Sequence, residues 1–428
     1  MQLASVRRQL HFARAFQSRA FALLWTGQAV SSLGDGVFTT ALAWEVLIKT
    51  GSASAMSAVV IARYIPMVLF FLIGGVSADR LPRRLLLLYS DSGRAVIVLL
   101  IALLDIAHIL QTWHLVVLSI FFGIVNSFFS PAYYSIVPEL VSEGDLRSAN
   151  SLNSLSRQVN GLLGPLLGAA IVAMAGAAVG FAFDGVTFLV SALCLCAMRV
   201  AHPTRLSSGI DKPSQPRAFK QKSLQVFHDV LEGFRYVAGT GWLWVSIVIA
   251  AIANIGFMGT LMIALPKLVH DFYGAGVWLL GALLMTFSAG SIVAALFVGQ
   301  LEHLRRRGIV GYLALLMAGV ALAFYGMPVA PVVREVIPLV ASFVVGFGIG
   351  AFEVIWDVLL QEFVPSAKLG RVNSIDLLGS YSLMPLGYAI IGILTDHMGP
   401  GVVFLAGGIL NIVLASIALC IPGVRHLD

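Results

Sequence analysis

Stretches of about twenty consecutive apolar residues recur along the whole chain, and no other feature restricts its folding so severely. A helix rises about 1.5 Å per residue, so a run of that length crosses the ~30 Å hydrocarbon core of a bilayer. Within hydrocarbon the backbone must satisfy its own N–H and C=O groups, which a helix does internally. Of 428 residues, 59% are hydrophobic and only 11% charged, against roughly 25% charged in soluble domains. A surface facing water on all sides cannot be built from that supply. The expected fold class is therefore all-α, a polytopic membrane protein.

Apolar runs between polar breaks predict twelve transmembrane helices, near 21–48, 54–78, 85–108, 113–138, 148–175 and 178–199, then 242–270, 276–300, 308–328, 335–362, 370–396 and 399–422. Their orientation follows from the basic residues. Of the twenty-seven, Lys49, Lys267 and Arg334 fall toward one side, and Arg63, Arg94 and Arg157 lie inside spans. The other twenty-one belong to the side that carries both termini. The positive-inside rule makes that side cytoplasmic, and the basic amino-terminal flank reads as part of an uncleaved first helix. The net charge of +6 is thus topological, and no nucleic-acid partner is expected. Cys194, Cys196 and Cys420 lie in apolar runs without metal or disulfide spacing and read as packing residues.

Residues 200–241 form the one long connection. Pro203, Pro213 and Pro216 are followed by "LQVFHDVLEGFRYV", whose Leu224, Phe227, Leu231 and Phe234 recur at spacings of three and four, the pattern of an amphipathic interfacial helix. The expected organisation is a six-helix bundle over 1–199, a cytoplasmic linker over 200–241 and a second six-helix bundle over 242–428. An internal repeat agrees with two halves. "ELVSEGDLRSANS" at 139–151 aligns with "EFVPSAKLGRVNS" at 362–374, and "LGD" at 33–35 faces "IGF" at 255–257 at nearly the same offset. Parallel halves related by a pseudo-two-fold axis, with sites at their interface, are a plan of secondary transporters.

One stretch carries far more charge than the rest: "GGVSADRLPRRLLLLYSDSGR", residues 74–94. It covers the end of the second span, a short loop and the start of the third. Gly75, Asp79, Arg80, Arg83 and Arg84 form a G-x-x-x-D-R-x-x-R-R pattern, and Asp91 and Arg94 stand three apart on one helix face. The pattern resembles the loop signature of the major facilitator superfamily, with Pro82 where members commonly have glycine. The resemblance implies a cytoplasmic gate between the halves. Gly74 and Gly75 would permit close helix approach, and Asp79 would face the start of the eleventh span near Gly370 and Arg371, whose dipole favours an anion. Setting topology alone is the other reading of the arginines. "FALLWTGQAVSSLGDGVFTTALAW", "TGSA", "EGFRYV" and "GPLLGAA" look like the drug:proton antiporter branch that contains macrolide-type multidrug exporters and the enterobactin exporter. Gly161, Gly164, Pro165 and Gly168 in the fifth span resemble its antiporter motif, and are equally readable as ordinary close packing. The resemblance implies the major facilitator fold, with spans 1, 4, 7 and 10 lining a central cavity.

No G-x-x-x-x-G-K-[ST] phosphate loop occurs, so ATP is not the expected energy source. No cofactor is expected; a transmembrane proton gradient is. A carboxylate at bilayer depth costs about 2.5–3.5 kcal/mol on insertion scales and marks function by default. Asp35, near the middle of the first span, and Glu353 and Asp357, four apart on the tenth, are the candidates for proton coupling. Asp35 bonding to Thr39, or the tenth-span pair bonding to Arg157, would be structural alternatives. Glu45 and Arg63 fall toward the outer side, as an external ion pair or as separate residues reaching the interface. Asp376, in the first turns of the eleventh span, is expected to stabilise that helix start. Phe38, Asn126, Phe129, Tyr133, Asn254, Phe257, Met258, Met262, Phe352 and Trp356 are candidates for a substrate-binding wall. An acidic pocket with aromatic walls favours lipophilic cations.

The expected activity is export of lipophilic, cationic drugs by alternating access in a bacterial cytoplasmic (inner) membrane, by a monomer whose partners are a small-molecule substrate and the bilayer. Export of one dedicated metabolite or siderophore, or movement of lysophospholipid, is the alternative on the same fold. An enzyme is not expected, because all nine histidines fall at span ends or in loops and no metal or nucleophile cluster forms at depth.

Overall fold

The computed structural model describes residues 14–199, 231–301, 305–327, 335–425 and 427; the side chains of Leu72, Asp79, Glu143 and Ala367 lie outside that description. Twelve long helices carry it. The first half contains α1 (Arg19–Thr50), α2 (Ala53–Arg80), α3 (Arg83–Ile106), α4 (Thr112–Leu140), α5 (Leu146–Ala175) and α6 (Ala177–Ala197). The second contains α7 (Gly241–Phe272), α8 (Val277–Gly299), α9 (Arg307–Tyr325), α10 (Val336–Phe363), α11 in two segments (Ser366–Tyr381 and Met384–Met398) and α12 (Pro400–Cys420). Eleven of these are long and apolar enough to cross a membrane. The exception, α1, has the length but carries Gln28, Ser31, Ser32, Asp35, Thr39 and Thr40 along its middle. The three cysteines are free.

Local chemistry sets the ends. Ser18 Oγ accepts the Phe21 N–H at the start of α1, as an N-cap should. Gly51, at φ +62°, closes that helix, and Ser52 caps the next. Gly176 and Gly399, 223 residues apart, both adopt φ +84° to reverse the chain between α5 and α6 and between α11 and α12. Only glycine enters that region without strain. The repeat between 139–151 and 362–374 has the same offset.

Two helices depart from regularity beside the centre. α7 is α-helical to Asn254 and widens to a π-helix over Ile255–Ala264 and again over Leu268–Phe272. α11, expected as one continuous helix, breaks at 382–383. Pro385 has no N–H to donate to the Tyr381 carbonyl one turn back, and beside it Asn254 Nδ2 donates to the Ser380 carbonyl at the break (3.0 Å). Inserted polar partners of this kind keep an interrupted membrane helix satisfied.

The halves meet along α5–α8 and α2–α11. A Cβ on Gly281 of α8 would lie 2.3 Å from Ala169 Cβ and 2.8 Å from the Pro165 carbonyl oxygen of α5. Ser288 donates to the Gly161 carbonyl (2.8 Å). On α2, Ser57 donates to the Tyr388 carbonyl (2.6 Å) and abuts Gly392 of α11. At the end away from the chain termini, Asp396 of α11 accepts from Ser52 Oγ (2.6 Å) and from the N–H groups of Ala53 (2.8 Å) and Ser54 (2.9 Å). Lys267 of α7 joins the cluster, bonding Asp396 (3.2 Å) and the Gly51 carbonyl. A carboxylate of one half thus caps the first turn of a helix in the other, where the helix dipole favours it.

The linker's expected amphipathic helix begins outside the described residues. Its visible part, over 231–239, leans on α11: Gly233 lies against Arg371 and Ile375, Glu232 pairs with Arg371 (2.5 Å) and Lys368 (3.5 Å), and Val237 is buried with Leu243 and Val372.

Candidate functional site

In the first half, polar groups from four helices converge at mid-depth. Asp91 of α3 is fully buried; it accepts from Gln28 of α1 (3.1 Å), from Ser191 of α6 (2.6 Å) and from Arg94 one turn along. Arg94 also donates to Asn126 of α4 (3.3 Å), and its guanidinium lies 4.3 and 4.5 Å from the rings of Phe129 and Phe188. The two rings and the carboxylate compensate its charge, although its buried Nε has no hydrogen-bond partner among the described residues. Asp35 is less constrained. Its nearest cation is Arg63 of α2 at 4.0 Å, both side chains are about one-third exposed, and Arg63 rests over the Phe122 ring at 4.2 Å. Thr39 bonds the Asp35 main-chain carbonyl (2.8 Å), leaving the carboxylate free of it.

In the second half, Glu353 and Asp357 project from α10 into a cavity of about 260 Å³ that Asn254, Phe257, Phe352, Trp356 and Tyr381 also line. Both acids are exposed to it. The third acid is Asp376. Because α11 starts at Ser366, Asp376 sits mid-helix rather than at the helix start; it accepts from Trp356 Nε1 (3.0 Å) and Ser380 Oγ (3.4 Å) at the cavity wall. Among the described residues no Lys, Arg or His nitrogen lies within 4.0 Å of any of the three. Arg157, the rival partner for the α10 pair, instead bonds Ser154 (2.9 Å). It borders a cavity of about 320 Å³ between the halves, with Ser32, Thr39, Asn160 and Met262, and a smaller one with Phe129 and Tyr133.

Other expectations meet the structure unevenly. Phe38 is 2% exposed and packs against Phe122 and Phe181, so it belongs to the core of its half rather than to a cavity wall. Met258 packs beside that apolar core in the second half. Glu45 and Arg63 do not pair: Glu45 bonds Lys49 one turn along (3.0 Å), and Arg63 sits deeper beside Asp35. Depth separates them, since Glu45 lies five residues from the end of α1 and Arg63 ten residues inside α2. Of the two loop glycines, Gly74 lies against the Ser127 carbonyl of α4, while a Cβ on Gly75 would meet nothing within 4 Å. Arg83 binds the Ser135 carbonyl (2.7 Å) and Glu139 (2.5 Å), and Arg84 binds the Leu195 and Cys196 carbonyls (both 2.7 Å). Both therefore fasten α3 to helix ends of its own half. Arg80 is exposed, and the contact expected of Asp79 lies outside the described residues. The Gly161–Gly168 stretch is the seam of three helices: Gly164 meets Gly36, and Gly168 meets Val37, both on α1, while Pro165 meets α8.

Two acids escaped the sequence reading of the centre. Asp376 was assigned to a helix end. Asp184 of α6, 0% exposed and set against Gly34, was passed over although it lies seven residues inside its span.

The Major Facilitator Superfamily model matches residues 24–388. The chain is 27% identical over 405 residues to the multidrug efflux pump Tap of Mycolicibacterium fortuitum, covering 92% of this chain and 94% of that one. It is 21% identical over 410 residues to macrolide efflux protein A of Streptococcus pyogenes, covering 95% and 97%. A bacterial homologue of the iron transporter ferroportin, in an inward-facing state, shares the fold with a TM-score of 0.68 at 18% identity over 94% of this chain and 99% of that one. The peptide transporter POT does so with a TM-score of 0.70 at 15% identity over 95% of both.

Proposed function

Because the chain belongs to the Major Facilitator Superfamily, a family of membrane transporters, we propose that it is a proton-coupled exporter of lipophilic cations working by alternating access. The observation that carries this reading is the α10–α11 cavity: three carboxylates with no cationic partner within 4.0 Å among the described residues, beside the rings of Phe352 and Trp356, which stack at 6.0 Å. A negative pocket with aromatic faces suits an organic cation, and a proton competes for the same oxygens. Asp35 supports the coupling, since among the described residues the one cation within 4.0 Å of it, Arg63, stands at that limit, too far for a tight pair. The efflux pumps among the relatives support export.

In this reading the Asp396 cluster closes the external side, both termini are cytoplasmic, and the protein works as a monomer in a bacterial inner membrane with the proton gradient as its only energy source. The test uses the full chain in proteoliposomes with an imposed pH gradient and ethidium as probe. Wild-type accumulation should follow the gradient and Asp35→Asn should lose that dependence; accumulation indifferent to the gradient refutes antiport. Glu353→Gln and Asp357→Asn should each weaken tetraphenylphosphonium binding about tenfold, roughly 1.4 kcal/mol. Unchanged binding refutes the site. Cells resistant to one compound alone, across a broad drug panel, would instead indicate a dedicated exporter.

A further inference from the structure

Asp184 is a buried carboxyl that the packing of its half does not require. Thr187 Oγ1 approaches its Oδ1 at 3.3 Å, while Oδ2 is buried with no hydrogen-bond partner among the described residues. An anion left so is unstable, and protonation or a cation drawn to that oxygen lowers the cost. The repeat allows a control within the molecule. Gly34 abuts Thr187 and Asp184 on α6, and Gly256, at the corresponding place in α7, abuts Asn411 and Gly407 on α12. Residues 184 and 407 are 223 apart, the offset of the repeat. The second half makes the same helix contact with a glycine and a neutral asparagine that bonds the Gly407 carbonyl (2.8 Å), so close packing does not call for an ionisable carboxyl.

The charged groups that face Asp184 are Asp35 from α1, Arg63 from α2 and Arg94 from α3, with Asp91 beyond Arg94. Arg94 is committed to Asp91 and Asn126. Arg63 is not so committed: it stands 4.0 Å from Asp35, cushioned on the Phe122 ring, within the field of both Asp35 and Asp184. The two acids also differ in access, because Asp35 is about one-third exposed and Asp184 is sealed.

We propose that Asp35 and Asp184 hold one proton between them, and that the Arg63 guanidinium moves to whichever carboxylate is ionised. This rests on the proton-coupled reading and names its inner seat. In the arrangement seen, Asp184 carries the proton on Oδ2 and Asp35 faces Arg63. In the alternative, the proton has left Asp184 for the Asp35 carboxyl, and Arg63 has shifted toward Asp184. One O–H bond breaks and one forms, and the trio stays neutral overall in both states. Charge is then never left uncompensated in the membrane while the proton passes between a partly exposed seat and a buried one. Asp184 acts on the substrate only through Arg63 and Asp35 and is a positioning residue in that sense.

The test is infrared difference spectroscopy of the carboxylic-acid C=O band in the purified full chain at neutral pH, on wild type, Asp184→Asn and Asp35→Asn. Asparagine at 184 keeps an acceptor for Thr187. A shared proton predicts that the band lost in Asp184→Asn is also lost in Asp35→Asn, where Arg63 has only the ionised Asp184 to pair with. Survival of that band in Asp35→Asn marks a permanently protonated structural acid and overturns the proposal. So does the absence of any lost band in Asp184→Asn. Should Asp184→Asn not fold, Asp35→Asn decides alone: Asp35 is ionised in the arrangement seen and has no acid band of its own, so loss of one acid band decides for the shared proton and no loss decides against it. Gradient-driven ethidium transport is read in parallel and should fall at least tenfold in Asp184→Asn. If wild type ignores the gradient yet the bands vanish together, the proton-coupled reading fails and the shared pair stands.

Discussion

Replacing Asp396 with asparagine should open one end of the molecule. Oδ1 of Asp396 takes the Ala53 N–H at 2.8 Å and Lys267 Nζ at 3.2 Å, and Oδ2 takes Ser52 Oγ at 2.6 Å and the Ser54 N–H at 2.9 Å. The amide keeps one oxygen, so one pair of contacts is lost and an NH₂ group is turned toward donors. A hydrogen bond to a charged group contributes about 1.5–3 kcal/mol. A carboxylate at a helix amino terminus adds about 0.3–1 kcal/mol. Asp396 is one-fifth exposed, so water recovers part of this, and a net loss of about 2–4 kcal/mol is a fair working value. Every one of these partners lies in the first half except Lys267. The loss therefore falls on the conformation in which the halves touch here, and the closed-to-open ratio should drop roughly 30- to 1,000-fold. Spin labels at Ile48 and Met398, both exposed at this end of α1 and α11, would report it by electron–electron double resonance. A longer distance should gain population in Asp396→Asn at the expense of the short one. An unchanged distribution would refute the idea that this cluster holds the end shut.

Two further outcomes are expected. Gly281→Ala puts a methyl 2.3 Å from Ala169 Cβ, so α8 must back away from α5; overpacking of this kind costs about 1–3 kcal/mol, seen as a lower unfolding midpoint and reduced transport, and a midpoint equal to wild type would disprove the tight seam. The Arg371 guanidinium beside Glu232 holds its carboxyl below the usual glutamate range. The stability it lends to docking of the 231–239 helix is complete above the ordinary glutamate value and is lost as pH falls through the depressed one. Hydrogen exchange of 231–239, corrected for intrinsic rate, should rise below about pH 4 in wild type and lose its acid dependence in Glu232→Gln; persistence of that dependence in the variant would disprove the assignment.

The twelve helices were legible because a bilayer sets both their length and their composition, and the predicted ends fall within about four residues of those observed. What depends on rotation about a helix axis was not legible. Glu45 and Arg63 share a side of the membrane in the sequence, but Arg63 lies ten residues inside α2 and faces Asp35, while Glu45 lies five residues from the end of α1 and meets Lys49. The break in α11 had a visible cause in Pro385, but a hydropathy pattern does not register one missing N–H. That oversight is linked to the misreading of Asp376, which becomes a cavity residue once α11 starts at Ser366 and bends beyond Tyr381. Asp184 was the avoidable miss. It sits in "VGFAFDGVTFLV", at a depth where the reasoning that singled out Asp35 applies equally.

The polarity of α1 has a consequence for biosynthesis. It is the earliest of the twelve spans to be made and the one that falls short in apolarity, so its transfer from the insertion machinery into lipid is the least favoured. The groups that match its polar stripe arrive later: Asp91 after 63 residues and Ser191 after 163 for Gln28, and Gly168 of α5 against Thr40. A nascent chain must therefore shelter this segment for well over a hundred residues of elongation, and substitutions on α5 or α6 should show up as failed insertion of a helix they follow.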